Sequence, residues 1–277
     1  MSEHIFPLVI NHQGATITRD VLFYDIENGV SLPEDLCHLL EQLHSSENIF
    51  AAAQHKWTQL FDQNMVRVAV EQTKKATSFD DPQYQEHFEY LIQVRKAGTL
   101  LLITHRLLTT VHKGPQPLSK FIASIGSWKD ARDFPEIMQS RAEKIIIKLE
   151  QYLKDLKTAA LPQTVSHDEF LRYYSERLGS LNELLSHQEL TLDDYHVVRR
   201  IIRSFDKYYM LLAESAQSPD VLVVHQYLSK LSGNMGRFND VFMNLEIEGL
   251  ADIHESTTTI HPVHRQRIDT FISAHRR

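Results

Sequence analysis

The sequence has a single cysteine, Cys37, and only nine glycines and nine prolines among its 277 residues. One cysteine excludes an internal disulfide and a zinc site built from several cysteines, which fits a reducing compartment. The small number of glycines and prolines disfavours a strand-rich fold with many tight turns. No uninterrupted apolar run, Leu100–Ile103 included, approaches the roughly 20 residues that a membrane-spanning helix needs.

The chain also lacks an excess of positive charge and an ordinary secretory signal. The opening residues, MSEHIFPLVINHQG, contain no basic segment followed by a long apolar run. We therefore expect a soluble, cytoplasmic protein, although delivery into a host cell by a specialised bacterial secretion system would leave no readable signal. The net charge of −7 and the pI near 6.1 argue against general nucleic-acid binding. Any anion site must be a local basic patch.

The familiar catalytic motifs are missing too. Neither of the glycine-rich phosphate-binding patterns is present, nor is the G-x-S-x-G nucleophile turn or the HExxH zinc motif. We therefore expect a noncatalytic protein with no cofactor. The histidines at 254, 261 and 264 cluster near acidic residues, but a metal site there is a weak alternative, because Pro262 interrupts the pair His261 and His264.

Apolar residues recur at helical spacing over most of the chain, which predicts an all-α fold. Residues 5–30 are the exception, because their β-branched residues and two turn-like pieces predict a short hairpin or an ordered arm. Helices are predicted near 31–43, 48–75, 82–108, 118–125 (ending at Gly126), 134–156, 167–187, 192–216, 220–248 and 262–275. We expect an N-terminal arm or hairpin (1–30), a first helical bundle (31–160) and a second (161–277), with about four helices per bundle.

The stretch from Thr191 to Ala216 organises the second half of the chain. Read as a helix capped by Thr191, it separates basic from apolar side chains. The basic strip consists of His196, Arg199, Arg200, Arg203 and Lys207, and the opposite face of Val198, Ile201, Ile202, Phe205, Tyr208, Tyr209 and Leu212. Two interpretations stay open. The strip is either a solvated face with weak ion pairs or a site where arginine forks and lysine bind an anion.

A sequence repeat relates the two halves. The segment LSKFIASIGSWKDARDF, starting at Leu118, resembles LSKLSGNMGRFNDVFM, starting at Leu228. In a common register Gly126 matches Gly236, and an aromatic residue follows two positions later in both copies. A helix with basic residues precedes each copy. Such self-similarity predicts a duplicated helical unit.

The pattern His196-x-x-Arg199, followed by Arg203 and by the glycine turn Met235 to Asp240, resembles the conserved-histidine α-helical domain (CHAD) family. The first copy, Ile125 to Asp133, is closer still to that family's LG-x-x-R-D-x-D form. The resemblance covers roughly residues 80–250. It implies a tandem repeat of two four-helix bundles that bind inorganic polyphosphate, or a similar polyanion, in a basic groove between the bundles.

On this resemblance the polyanion site draws on both repeats. Its candidate residues are His196, Arg199, Arg200, Arg203, Lys207, Lys230 and Arg237 in the second repeat and Arg95, Lys96 and Lys120 in the first. The chain departs from the family in its acidic balance, in Ile92 at the first histidine slot, and in Ser204 and Asp206 where arginines usually continue. The alternative is a helical protein-interaction module, either an adaptor or a bacterial effector or its regulator, with no polyanion ligand.

Overall fold

The computed structural model describes residues 3–24, 31–75, 82–130 and 163–275, together with isolated helical positions at 144, 148, 151 and 154. This part of the chain is mostly helical and carries a small antiparallel sheet that includes the N-terminal hairpin. The all-α class is therefore approximately right, and the hairpin alternative for the N-terminal segment is confirmed. Most of the helix predicted at 134–156 falls outside the described residues.

The hairpin consists of β1 (Glu3–His12) and β2 (Ala15–Tyr24), paired over their whole length. The two connecting residues, Gln13 and Gly14, both have positive φ, of 47° and 79°. A two-residue turn of this kind matches the natural twist of the strands, so it fixes their register. Two short strands, β3 (Leu190–Thr191) and β4 (Thr257–Thr258), complete the sheet in the order β2-β1-β4-β3.

The chain forms two compact units by packing, and each is described by itself. Unit 1 comprises Met1–His44 and His167–Arg277, and unit 2 comprises Ser45–Ser166. Residues 31–44 were expected in the first bundle, but they group with the C-terminal part of the chain.

Hydrogen bonds at the two ends of the first helix explain this grouping. The helix α1 (Leu36–Leu43) begins where Leu36 N donates to Ala274 O at 3.2 Å, close to the C-terminus. At its other end, His44 Nδ1 lies 2.8 Å from Tyr208 Oη. Both ends of α1 are therefore attached to elements of unit 1.

In the described part of unit 2, one long helix packs against three others. The central helix is α4 (Pro82–Leu108), and its neighbours are α2 (Ser46–Leu60), α3 (Gln63–Lys75) and α5 (Gln116–Asp130). The helix predicted at 48–75 is wrong as a single element. Asp62 breaks it, because its carboxylate accepts from Asn64 N (2.7 Å) and Met65 N (2.9 Å) and so starts a new helix.

The predicted helix end at Gly126 is also wrong. The helix α5 continues through this glycine to Asp130. Glycine was read as a helix terminator because it is common just beyond helix ends. Here its missing side chain serves a helix–helix contact instead, as described below.

Besides α1 and the sheet, the described part of unit 1 contains four helices: α6 (His167–Ser186), α7 (Leu192–Ala216), α8 (Pro219–Ile247) and α9 (Pro262–Ser273). The helices α7 and α8 form its most extensive helix pair. Thr191 caps α7 as predicted, since its side chain accepts from Asp194 N at 3.0 Å. All seven residues predicted for the apolar face of α7 are fully buried, so this helix has the orientation that its sequence indicates.

Candidate functional site

The basic strip of α7 runs along its contact with α8. His196 Nδ1 lies 2.8 Å from Asn239 Oδ1, and nearly three turns further along α7, Asp206 Oδ1 lies 3.1 Å from His225 Nδ1. Ascending positions on α7 therefore meet descending positions on α8, so the pair is antiparallel. This register places Gly236 opposite Arg199.

The guanidinium of Arg199 lies against the backbone of Gly236. A Cβ added at Gly236 would come within 3.3 Å of Arg199 Nη2 and 3.7 Å of Arg199 Nε. Glycine leaves room for a large planar cation at a helix–helix contact, where any other residue would crowd it. The guanidinium of Arg199 is therefore packed against the helix pair.

Unit 2 contains the same arrangement. A Cβ at Gly126 on α5 would lie 2.9 Å from both Nε and Nη2 of Arg95 on α4. Further along this pair, a Cβ at Gly98 would lie 2.9 Å from Ile122 Cδ1, so α4 and α5 are also antiparallel. Each unit thus has a helix pair in which an arginine of the first helix covers a glycine of the second.

His196 is held as a neutral group. Its Nδ1 contacts the amide oxygen of Asn239, and the surrounding protein covers most of the ring. Burial lowers the pKa of His196, and the nearby charges of Arg200 and Arg199 lower it further, against the opposing effect of the Asn239 hydrogen bond. The ring therefore acts near neutral pH as a hydrogen-bonding group and contributes no positive charge to the strip.

Lys207 is neutralised by Asp206, one of the residues at which the sequence departs from the CHAD family pattern. Its Nζ lies 3.0 Å from Asp206 Oδ2, while Asp206 Oδ1 faces His225 Nδ1 at 3.1 Å. The Asp206 side chain is buried, being only 3% exposed. A buried carboxylate requires a cationic or hydrogen-bonding partner, so Lys207 is committed to it.

The remaining candidate residues of unit 1 differ in their solvent exposure and their contacts. Arg200 is exposed, and Arg203 and Lys230 are half-buried. Arg237 is directed to the sheet, where its Nη1 donates to Leu22 O at 2.8 Å. Arg200 is therefore the most exposed guanidinium group of the strip, and Arg203 lies one turn further along α7.

The candidate residues of unit 2 are described within that unit alone. Lys96 is exposed, and its Nζ lies 3.9 Å from Glu89 Oε1, a distance at which surface ion pairs contribute little. Lys120 is exposed on α5. The structure brings Arg95 onto Gly126, but it does not describe these residues together with those of α7.

The crevice described beside the basic strip is too small to hold a polyanion. The crevice beside His196 and Asn239 holds only about 10 Å³, the size of a single water molecule. A cleft of about 1080 Å³ lies elsewhere, between residues 31–34, Tyr227 and α9. A polyanion on the strip would therefore bind across an open surface.

One pairing that resembles a hydrolase dyad was not anticipated. Ser256 Oγ lies 2.9 Å from His12 Nδ1 and accepts a hydrogen bond from Asp252 N at 2.8 Å. Ser256 has no accessible surface, so no substrate carbonyl can reach its oxygen. The contact is structural, because it attaches the end of β1 to the loop before β4.

The sequence analysis also did not identify Asn239 and His225 as the partners of His196 and Asp206, although the sequence repeat contains a signal for them. Once Arg199 is placed opposite Gly236, an antiparallel register puts Asn239 near His196 and His225 near Asp206. In the described part of the chain, no group of three or more His, Cys, Asp or Glu side chains is placed to hold a metal ion. None of the described helices combines the length and apolarity needed to cross a membrane.

Fold and site together define a mostly helical protein with a small antiparallel sheet and an arginine-bearing helix pair in each of two units. Comparison with protein-family models, curated proteins and solved structures gives no match.

Proposed function

We propose that this chain is a noncatalytic, CHAD-like helical protein that binds inorganic polyphosphate or a similar polyanion through the arginines of α7. The observation that supports this best is the guanidinium of Arg199 held over Gly236, next to the exposed Arg200 and the half-buried Arg203. Arginine pairs phosphate oxygens in a bidentate manner, and a guanidinium already fixed in position loses less entropy on binding.

The matching arrangement in unit 2 supports the proposed duplication. Arg95 covers Gly126 as Arg199 covers Gly236, and the two glycines are equivalent in the sequence repeat. Two units with the same arginine–glycine contact are expected if one helical unit was copied and its packing kept. The proposal thus includes a tandem origin for the two helix pairs.

Contacts within unit 1 reduce the number of residues that we expect to bind the polyanion. Lys207 is committed to Asp206, His196 is neutral, and Arg237 binds the Leu22 carbonyl. With about three cationic contacts, the logarithm of affinity should fall with the logarithm of salt concentration with a slope near −2. Binding should therefore be clear at low salt and weak at moderate salt.

The test is titration of the purified protein with long-chain polyphosphate at low and moderate salt. The double variant Arg200→Glu with Arg203→Glu should bind at least tenfold more weakly. A matched control changes two exposed basic residues elsewhere, Arg172→Glu with Lys113→Glu, and alters the net charge equally. Equal losses in both double variants, or no binding by the unaltered protein at low salt, would contradict the proposal.

A second candidate, a protein-interaction module, is favoured by the outer face of the hairpin. There Ile5 is 67% exposed, and the neighbouring Val9 and Leu22 are also exposed. Exposed apolar side chains on one sheet face are typical of a contact surface. A purified partner whose binding is lost on Ile5→Lys, and unaffected by Arg200→Glu with Arg203→Glu, would favour this function over polyanion binding.

A further inference from the structure

A cluster of five rings joins the hairpin to the helices of unit 1. It consists of Phe6, Phe23, Phe238, His261 and His264, which we call the ring cluster. The ring centroid of Phe23 on β2 lies 4.6 Å from Phe238 on α8 and 4.7 Å from His264 on α9. His261 extends the cluster to Phe6 on β1, at 4.4 Å. The hairpin is therefore held to α8 and α9 by aromatic packing.

His264 is an unusual member of this cluster. It is fully buried, and neither of its ring nitrogens has a hydrogen-bond partner in the described chain. A neutral imidazole carries one donor and one acceptor, and leaving both unpaired in the interior costs stability. A leucine or phenylalanine would fill the same space without that cost, so packing alone does not account for a histidine here.

The surroundings of His264 oppose a positive charge. The charged and titratable groups that act on it are His261, which caps the N-terminus of α9, and Arg267 on α9, and both disfavour a positive charge on His264. From β2 and α8 the facing groups are the rings of Phe23 and Phe238. On α8, the guanidinium of Arg237 donates to Leu22 O on β2. A proton on His264 would therefore be buried without an acceptor and beside like charge.

We propose that His264 is a proton-operated latch: its neutral ring holds the hairpin against α8 and α9, and its protonation releases the hairpin. Release would expose the inner face of the strands, including Val21 and Phe23, which are buried while the hairpin is docked. The device depends on the ring cluster and is independent of the polyanion site.

The direction of the pH effect follows from the burial of His264. Desolvation lowers the pKa of the docked histidine from 6.5 to about 3. The released form therefore takes up the proton first, and docking is complete at neutral pH but weakens as pH falls below 6.5. Between pH 7.5 and pH 5.0 the docking equilibrium should weaken about 30-fold through this group.

Thiol accessibility can measure this release. A reporter cysteine is introduced by Val21→Cys in a Cys37→Ser background, and its reaction with a dipyridyl disulfide is compared with that of the urea-unfolded protein at each pH. A second reporter, Val198→Cys in the buried face of α7, detects unfolding of unit 1 as a whole. We expect protection at position 21 to fall about 30-fold between pH 7.5 and pH 5.0 through this group, while position 198 remains the better protected of the two at both pH values.

The substitutions His264→Phe and His264→Leu provide two independent checks, since one keeps an aromatic ring and the other replaces it by an aliphatic side chain. Either should keep position 21 protected at pH 5.0, and neither should lower protection at pH 7.5, because no hydrogen bond is lost. The proposal is overturned if the pH-dependent loss persists in both variants. It is equally overturned if position 21 is as well protected as position 198 at pH 5.0, since the hairpin would then open only when the whole unit unfolds.

Discussion

Replacing Gly236 by alanine tests whether the Arg199 guanidinium lies over the backbone of α8. Gly233, one turn earlier on the same helix, provides the matched control. A Cβ at Gly233 would meet no atom within 4 Å, whereas a Cβ at Gly236 would lie 3.3 Å from Arg199 Nη2. In an open helix interior, alanine is more favourable than glycine by about 0.5–1 kcal/mol.

The two substitutions should therefore differ in their effect on the free energy of unfolding. We expect Gly233→Ala to stabilise unit 1 by about 0.5–1 kcal/mol. Gly236→Ala should give a net change near zero, because the guanidinium must move by a few tenths of an ångström and part of the helical gain is lost. In an Arg199→Ala background, Gly236→Ala should recover the gain seen at Gly233.

Urea unfolding of the four Gly236 and Arg199 combinations gives a double-mutant cycle. Gly233→Ala and Gly236→Ala lie on one helix, so both act on the same unfolding transition. The reasoning is refuted if the two glycine substitutions stabilise equally, or if removing Arg199 leaves the effect of Gly236→Ala unchanged. In either case the arginine does not rest on this glycine.

The remaining predictions concern packing, charge and pH. Gly98→Ala should destabilise unit 2 by about 1–3 kcal/mol in urea unfolding, because its Cβ would lie 2.8 Å from Trp57; a stabilising effect would contradict the packing. Asp206→Asn should strengthen polyphosphate binding about two- to fivefold by freeing its neighbouring lysine, and unchanged affinity would show that this lysine takes no part. Burial lowers the pKa of His44 to about 3 and that of His275 to about 4. Each should therefore remove stability as pH falls below 6.5, by about 2 kcal/mol at pH 5.0, and equal unfolding free energies at pH 7.5 and 5.0 would exclude this.

The helical pattern was predictable because it depends on local chemistry. The spacing of apolar residues along α7 identified its buried face, and Thr191 marked its start. The long helix Pro82–Leu108 was likewise predictable, since its pattern continues without a strong breaker. Local signals failed where one residue could serve two roles. Gly126 was read as a helix end, whereas its missing side chain accommodates Arg95 from another helix.

The charge state of the basic strip depended on the helix pairing. In sequence, His196, Arg199 and Lys207 form one cationic series, and nothing local separates them. The contact with α8 makes them different: His196 meets Asn239 and is neutral, and Lys207 shares a buried carboxylate with His225. These partners lie far along the chain, and only an antiparallel register brings them together.

The sequence alone determined the helical character, the turn-bearing N-terminal segment and the orientation of the main amphipathic helix, because backbone propensity and apolar periodicity act over a few residues. Tertiary structure decided that residues 31–44 join the C-terminal unit and that the strip retains only part of its charge. It also decided that His264 lies unpaired among aromatic rings. These outcomes depend on which distant segments exclude water from one another, and burial of this kind sets both packing and ionisation.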